Sequence, residues 1–122
     1  MSDIRNLIKI ENQVADSTST DTNIGSGIYI FSVSGFEDSN LVESMPLIEL
    51  QISLDDGTTY HTIKSVDYAI ATTDYFEDNI FIRHKAKIRI KSSLYDAFES
   101  GTGLNIRFDK DVISGHHINT YI

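Results

Sequence analysis

The sequence predicts an all-β protein, most simply an antiparallel β-sandwich of the jelly-roll or immunoglobulin-like kind, with a small β-barrel as the second choice. Apolar and polar residues alternate with a period of two in several short runs, in which β-branched and aromatic residues dominate. Segments rich in Ser, Thr, Asp and Gly separate these runs. The 122 residues suffice for one domain, and the 40% hydrophobic content suffices for one core.

Each element is predicted from its own run of residues. Near the start, residues 7–10 are apolar enough to favour a first strand, and residues 15–23 form a polar loop. We therefore expect an extended or mobile N-terminal arm at 1–23 and a single sandwich domain at 24–122. The strands predicted in that domain are 28–33, 48–54, 60–63, 66–71, 79–83, 85–91, 104–109 and 118–122. One or two helical turns are predicted at 93–99, with Gly101 as the stop.

Composition excludes several classes of function. There is no cysteine, which removes disulfides, thiolate zinc sites and thiol nucleophiles. No apolar run approaches the ~20 residues of a membrane helix, and no secretory signal is visible. The net charge is −8, which disfavours nucleic acid as a partner. The charge is also uneven, because residues 1–60 carry ten acidic and two basic residues, whereas residues 61–122 carry eight of each.

The sharpest local motif joins two of the predicted strands. Its residues are Ser53, Asp55, Gly57, Thr59 and Tyr60. An Asp-Asp-Gly turn predicts a hairpin in which the aspartate accepts hydrogen bonds from turn amides and the glycine takes a positive φ. The spacing resembles the Asp-box of sialidases and related propellers, where these residues hold a hairpin together away from catalysis. One copy cannot build a propeller, so the resemblance implies a structural role and no enzyme activity.

The order of motifs supports a second resemblance. A glycine-rich, aromatic and aliphatic strand at 27–35 is followed by a long loop, the hairpin, the "AKIRIKSS" strand, a Gly-Thr-Gly turn and a final aliphatic strand. This order resembles small β-sandwich virion proteins of tailed bacteriophages, over most of residues 24–122. The resemblance implies a non-enzymatic capsid-decoration or head-tail accessory protein that binds copies of itself or other virion proteins. It also implies a homo-oligomer located in the virion, and in the host cytoplasm before assembly.

A basic stripe is the charged feature that most directly suggests a partner. Lys85, Lys87, Arg89 and Lys91 share one face of a strand by period two, over about 20 Å. Three interpretations remain open. The stripe pairs with acidic residues of the first half of the chain, it lies on an edge strand and discourages unwanted strand pairing there, or it binds an acidic partner.

Aromatic residues suggest the alternative function, a carbohydrate-binding β-sandwich module. Such modules stack sugar rings on exposed aromatic side chains, and Tyr68, Tyr75, Phe76 and Tyr95 lie in or near predicted loops. Tyr75 and Phe76, between acidic residues, form the most promising surface patch and are a second candidate for partner binding.

Metal and catalytic motifs are weak. His116 and His117 are adjacent, so on a strand they point to opposite faces and cannot hold one ion together. The acids at 55–56 and 74–79 have the oxygen ligands that calcium prefers, but neither matches an EF-hand loop. No nucleophile elbow or phosphate-binding loop is present. We therefore expect no metal, no cofactor and no catalytic residue.

Overall fold

The chain is all-β, as the sequence predicts. The computed structural model describes residues 4–13, 17–34, 47–66, 75–93, 104–111 and 120–122. Within these ranges there is no helix, and hence no helix that could span a membrane. The strands are β1 (Ile4–Gln13), β2 (Ser17–Thr18), β3 (Thr22–Ile24), β4 (Gly27–Ser34), β5 (Leu47–Ser53), β6 (His61–Val66), β7 (Tyr75–Ile82), β8 (Ala86–Ser93), β9 (Leu104–Asp111) and β10 (Thr120–Tyr121).

The strands form two five-stranded sheets. Sheet A has the order β1-β9-β4-β7-β10, and sheet B has the order β2-β8-β5-β6 with β3 also paired to β8. All pairs are antiparallel except β10 with β7, which run parallel over two residues. The two antiparallel sheets are consistent with a β-sandwich, and no closed barrel forms among the described strands.

The core lies between the two sheets. Side chains that alternate along each strand supply it, because successive residues of a strand point to opposite faces. Tyr29 stacks on Phe108 with ring centroids 5.0 Å apart, and the edge of Phe76 meets Phe31. The buried apolar residues are Ile8, Ile24, Tyr29, Phe31, Val33, Ile48, Leu50, Ile52, Val66, Ile80, Ile82, Ala86, Ile88, Ile90, Leu104, Ile106 and Phe108.

The structure differs from the expectation of an N-terminal arm. Strand β1 pairs with β9 in sheet A, and β2 and β3 pair with β8 in sheet B. Ile8 and Ile24 are buried in the core, which gives a physical reason why these segments join the sheets. The described part of residues 1–23 therefore belongs to the sandwich. The helical turn predicted for 93–99 and the strand predicted for 66–71 lie largely outside the described residues, although Ser93 ends β8 and Val66 ends β6.

Strand β7 corrects the expectation that residues 75–78 lie in a loop. It begins at Tyr75, which pairs with Ser34 of β4, and runs to Ile82. Asp78 takes an inward position of this strand and is buried, with its carboxylate 3.4 Å from the Lys64 ammonium of β6. This ion pair connects sheet A to sheet B at the open side of β6. A charged residue at an inward position interrupts the alternation of apolar and polar residues, and for this reason the sequence did not predict a strand at these positions.

Candidate interaction surface on sheet B

The β5–β6 hairpin is held by side-chain hydrogen bonds. The Ser53 hydroxyl donates to Asp55 Oδ1 at 2.7 Å and accepts from the Gly57 amide at 2.9 Å. Asp55 Oδ1 also accepts from the Thr59 amide at 2.8 Å. These bonds lower the pKa of Asp55 to about 2, with the Ser53 hydroxyl as the largest contributor and the Thr59 amide next. The loop is therefore fixed in one conformation by its own side chains.

The turn itself uses two residues with positive φ. Asp56 has a φ of 59° and Gly57 a φ of 91°, the combination found at the centre of a type I′ turn. Glycine was expected in this role, and Asp56 was not. Aspartate tolerates the left-handed region better than most residues. This conformation leaves the Asp56 side chain 92% exposed, with its carboxylate 3.5 Å from Lys87 Nζ.

Tyr60 ends the hairpin motif under the guanidinium of Arg89. The centre of the guanidinium lies 3.8 Å from the centroid of the tyrosine ring, well inside the range of a cation–π contact. The Tyr60 hydroxyl is buried and lies near the Asp21 carboxylate. Burial, and then the nearby Asp21 carboxylate, raise the pKa of Tyr60 to about 12.

A chain of hydrogen bonds crosses the outer face of sheet B. Arg89 Nε donates to Gln51 Oε1 at 2.8 Å, and Gln51 Nε2 donates to Thr62 Oγ1 at 3.2 Å. The Thr62 hydroxyl in turn donates to Glu49 Oε2 at 2.9 Å. The chain ties β8, β5 and β6 together, with a cation at one end and a carboxylate at the other. No local pattern in the sequence marks Gln51, Thr62 or Glu49 as functional residues, because their partners lie on other strands.

The basic stripe divides into engaged and free cations. Lys87 pairs with Asp56, and Arg89 is held by Gln51 and Tyr60. Lys85 and Lys91 are exposed and have no ion-pair partner among the described residues. The Lys87–Asp56 pair agrees with the interpretation that the stripe pairs with acids of the first half of the chain. The edge-strand interpretation is wrong, because β8 lies between β5 on one side and β2 and β3 on the other.

A groove lies where the hairpin, β3 and the start of β8 meet. It has a volume of about 470 Å³, and Leu54 and Lys85 stand on its walls. Leu54 is 59% exposed, the one large apolar side chain so exposed among the described residues. The predicted strand 48–54 includes Leu54, in phase with Ile52, but β5 ends at Ser53 and Leu54 lies in the turn that follows. The remaining lining residues are Asn23, Ile24, Ser53, Asp56, Ala86 and Lys87.

The proposed aromatic patch at Tyr75 and Phe76 is built differently from the sequence expectation. Tyr75 is the first residue of β7, and Phe76 is half-buried on the core side. Phe76 meets Phe31 edge-on, and the Lys64 ammonium lies 5.5 Å from its ring centroid. Phe76 is therefore engaged within the chain. Tyr68 and Tyr95 lie outside the described residues.

On sheet A, a carboxylate is buried on the opposite side of the strand from the core. Asp109 of β9 is 6% exposed, with Oδ2 3.5 Å from Arg107 Nε, and its Oδ1 has no hydrogen-bond partner among the described residues. Burial raises the pKa of Asp109, and the positive charges of Arg107 and Lys9 partly oppose this.

Potential metal ligands are dispersed over the described residues. No three of their His, Asp or Glu side chains come together in a way that could hold an ion. Asp55 is committed to Ser53 and Thr59, and Asp78 to Lys64. His61 and His84 are exposed at separate positions, whereas His116 and His117 lie outside the described ranges.

Comparison with known proteins yields no relative. No family model, no curated protein and no solved structure matches this chain. The function must therefore be argued from the chain's own residues.

Proposed function

We propose that this protein is a non-enzymatic structural protein that acts by assembling with copies of itself or with a larger lattice. The observation that carries the proposal is the outer face of sheet B. Together with the adjoining loops, this face combines a fixed hairpin, an exposed leucine beside a groove, and two exposed lysines that form no ion pair with any described residue. Such a face matches the anatomy of a protein interface, in which apolar anchors are surrounded by polar and charged groups.

The edge strands of both sheets carry features that discourage strand pairing between molecules, so contacts between molecules are expected through the faces of the sheets. Strand β6, at one edge of sheet B, carries Lys64 at an inward position, and β1, at one edge of sheet A, has two register shifts. Inward charges and bulges are both devices that discourage open-ended strand pairing. A defined assembly of this protein would then use its faces and loops and avoid indiscriminate edge-to-edge growth.

Within the assembly proposal, we favour a virion component of a tailed bacteriophage, either a capsid-decoration or a head-tail accessory protein. The support is the motif order around the hairpin and "AKIRIKSS" strands, together with the all-β architecture. If this is right, mass spectrometry of purified phage particles that carry this sequence will find the chain in fixed stoichiometry. Its absence from purified particles would contradict the virion assignment and leave self-assembly to be judged separately.

Three aromatic side chains of the described residues do not favour the carbohydrate-binding alternative. Tyr29 is buried, Tyr60 is covered by Arg89, and Phe76 packs against Phe31. Sugar stacking needs an aromatic ring with an open face, and each of these three rings already packs against other residues of the chain.

The test of self-assembly is the molar mass in solution by light scattering behind a sizing column, at low and moderate salt. We expect a discrete trimer or larger ring. A mass of 13.7 kDa at every concentration would overturn self-assembly. Charge-dependent contacts weaken as salt screens them, so the oligomer should shift toward smaller species at higher ionic strength.

A further inference from the structure

We propose that the groove beside Leu54 is the anchor point for an acidic and aliphatic segment of a second copy of this chain. The inference rests on the proposed self-assembly and names the surface that performs it. The groove volume of about 470 Å³ lies within the ~300–1,000 Å³ typical of ligand pockets, so it fits a short segment better than a flat face.

The groove combines apolar surface with a surplus of positive charge. Ile24 and Ala86 are almost fully buried beneath it, and Leu54 projects beside them. The charged residues along its lining are Lys85, Lys87 and Asp56, which sum to +1. Lys87 is paired with Asp56, so Lys85 supplies the positive charge that is left over.

The rest of the chain supplies the complementary chemistry. The protein carries a net charge of −8, and residues 1–60 alone hold ten acidic and two basic residues. A cationic groove on such a strongly acidic molecule attracts another copy in one orientation and lets the remaining surfaces repel. An aliphatic side chain next to a carboxylate would fill the apolar base and place its charge at Lys85.

The groove is an anchor and not a whole interface. Stable interfaces bury roughly 1,200–2,000 Å², and a few well-packed residues at the centre provide most of the affinity. Leu54 and Lys85 are the residues that we assign to this role. The surrounding outer face of sheet B would supply the remaining area.

The test compares three variants by sedimentation velocity over a concentration series. Lys85→Glu reverses the free charge in the groove, and Leu54→Asn removes the apolar wall without adding charge. Lys9→Glu is the matched charge-reversal control, because Lys9 is an exposed lysine of β1 in sheet A, outside the groove and outside the outer face of sheet B. We expect the first two variants to weaken self-association about tenfold or more, and the control to change it less than about threefold.

Each outcome decides a different question. If the wild type is oligomeric and all three variants associate alike, the groove is not the contact and only this inference fails. If the wild type is monomeric at every concentration, self-assembly and the inference fail together. Leu54 and Lys85 are both exposed, so the variants should keep the wild-type circular dichroism spectrum. A folded Leu54→Asn protein with wild-type association would overturn the apolar half of the proposal even if Lys85→Glu had an effect.

Discussion

Arg89→Lys tests whether the outer face of sheet B is held by specific geometry or only by charge. Lysine keeps the positive charge, but it lacks the planar group that covers Tyr60 and the Nε donor that serves Gln51. A partly exposed cation–π contact contributes about 0.5–1 kcal/mol. Loss of a hydrogen bond that leaves the buried Gln51 acceptor without its donor costs about 1–3 kcal/mol. A lysine ammonium recovers part of both, so we expect a net destabilisation of about 1–2 kcal/mol.

The assay is urea unfolding followed by circular dichroism at fixed protein concentration, because association also shifts apparent stability. Lys91→Ala is the control, since Lys91 is an exposed cation of the same strand that forms no ion pair with any described residue, and it should stay within about 0.5 kcal/mol of the wild type. If Arg89→Lys also stays within 0.5 kcal/mol, the stacked and hydrogen-bonded arrangement contributes nothing and the reasoning is refuted.

A double-mutant cycle with Tyr60→Leu separates the two contributions of Arg89. The coupling between Arg89→Lys and Tyr60→Leu should be about 0.5–1 kcal/mol, the value of the cation–π contact alone. The remainder of the Arg89→Lys effect belongs to Gln51. A coupling near zero would assign the whole effect to the hydrogen-bond chain.

Three further changes test the hairpin, sheet A and the core. The Asp55 pKa is lowered, so its stabilisation is present above the unfolded value of 3.8 and is lost as pH falls toward about 2. The protection factor of the Thr59 amide, which is the exchange rate of an unstructured peptide divided by that of this amide at the same pH, should fall over that window, and in Asp55→Ala it should be low at every pH. The Asp109 pKa is raised, so the contribution of this carboxyl to the stability of the fold is present at low pH and is lost as pH rises. Asp109→Asn should therefore raise the Tm at pH 7, and the difference from the wild type should shrink below pH 3.8. A lower Tm of the variant at pH 7 would contradict this reasoning. Phe31→Ala, at a site with 0% exposure, should cost about 3–5 kcal/mol in urea unfolding.

Strand existence could be read from the sequence more readily than strand pairing. The alternation at 48–54, 85–91 and 104–109 corresponds to β5, β8 and β9. Alternation reports which face of a strand is buried, but it carries no information about which strand lies alongside. The order β1-β9-β4-β7-β10 depends on contacts between residues far apart in the chain, so it could not be derived from local pattern.

The candidate site shows the same division between local and distant contacts. The bonds of Ser53, Asp55 and Thr59 lie within seven residues, and turn chemistry was sufficient to identify them. The stacking of Arg89 on Tyr60 joins residues on different strands and was invisible in the sequence. The predicted strand 48–54 ran one residue too far and included Leu54, because periodicity does not show where a strand ends. A structure was needed to place that leucine outside, next to Lys85.

The rigidity of the hairpin has a direct consequence for binding. Association loses affinity whenever a loop must be ordered at the same time, and preorganisation removes that cost. Leu54 and Asp56 lie on a loop that Ser53 and Asp55 already hold through four side-chain and backbone contacts, one of them between the Thr58 amide and the Asp55 carbonyl. Weakening the loop should therefore weaken self-association even though Asp55 itself does not line the groove. Asp55→Ala, measured by sedimentation beside Leu54→Asn, should show a smaller loss of association than Leu54→Asn. An equal or larger loss would mean that Asp55 contacts the partner directly.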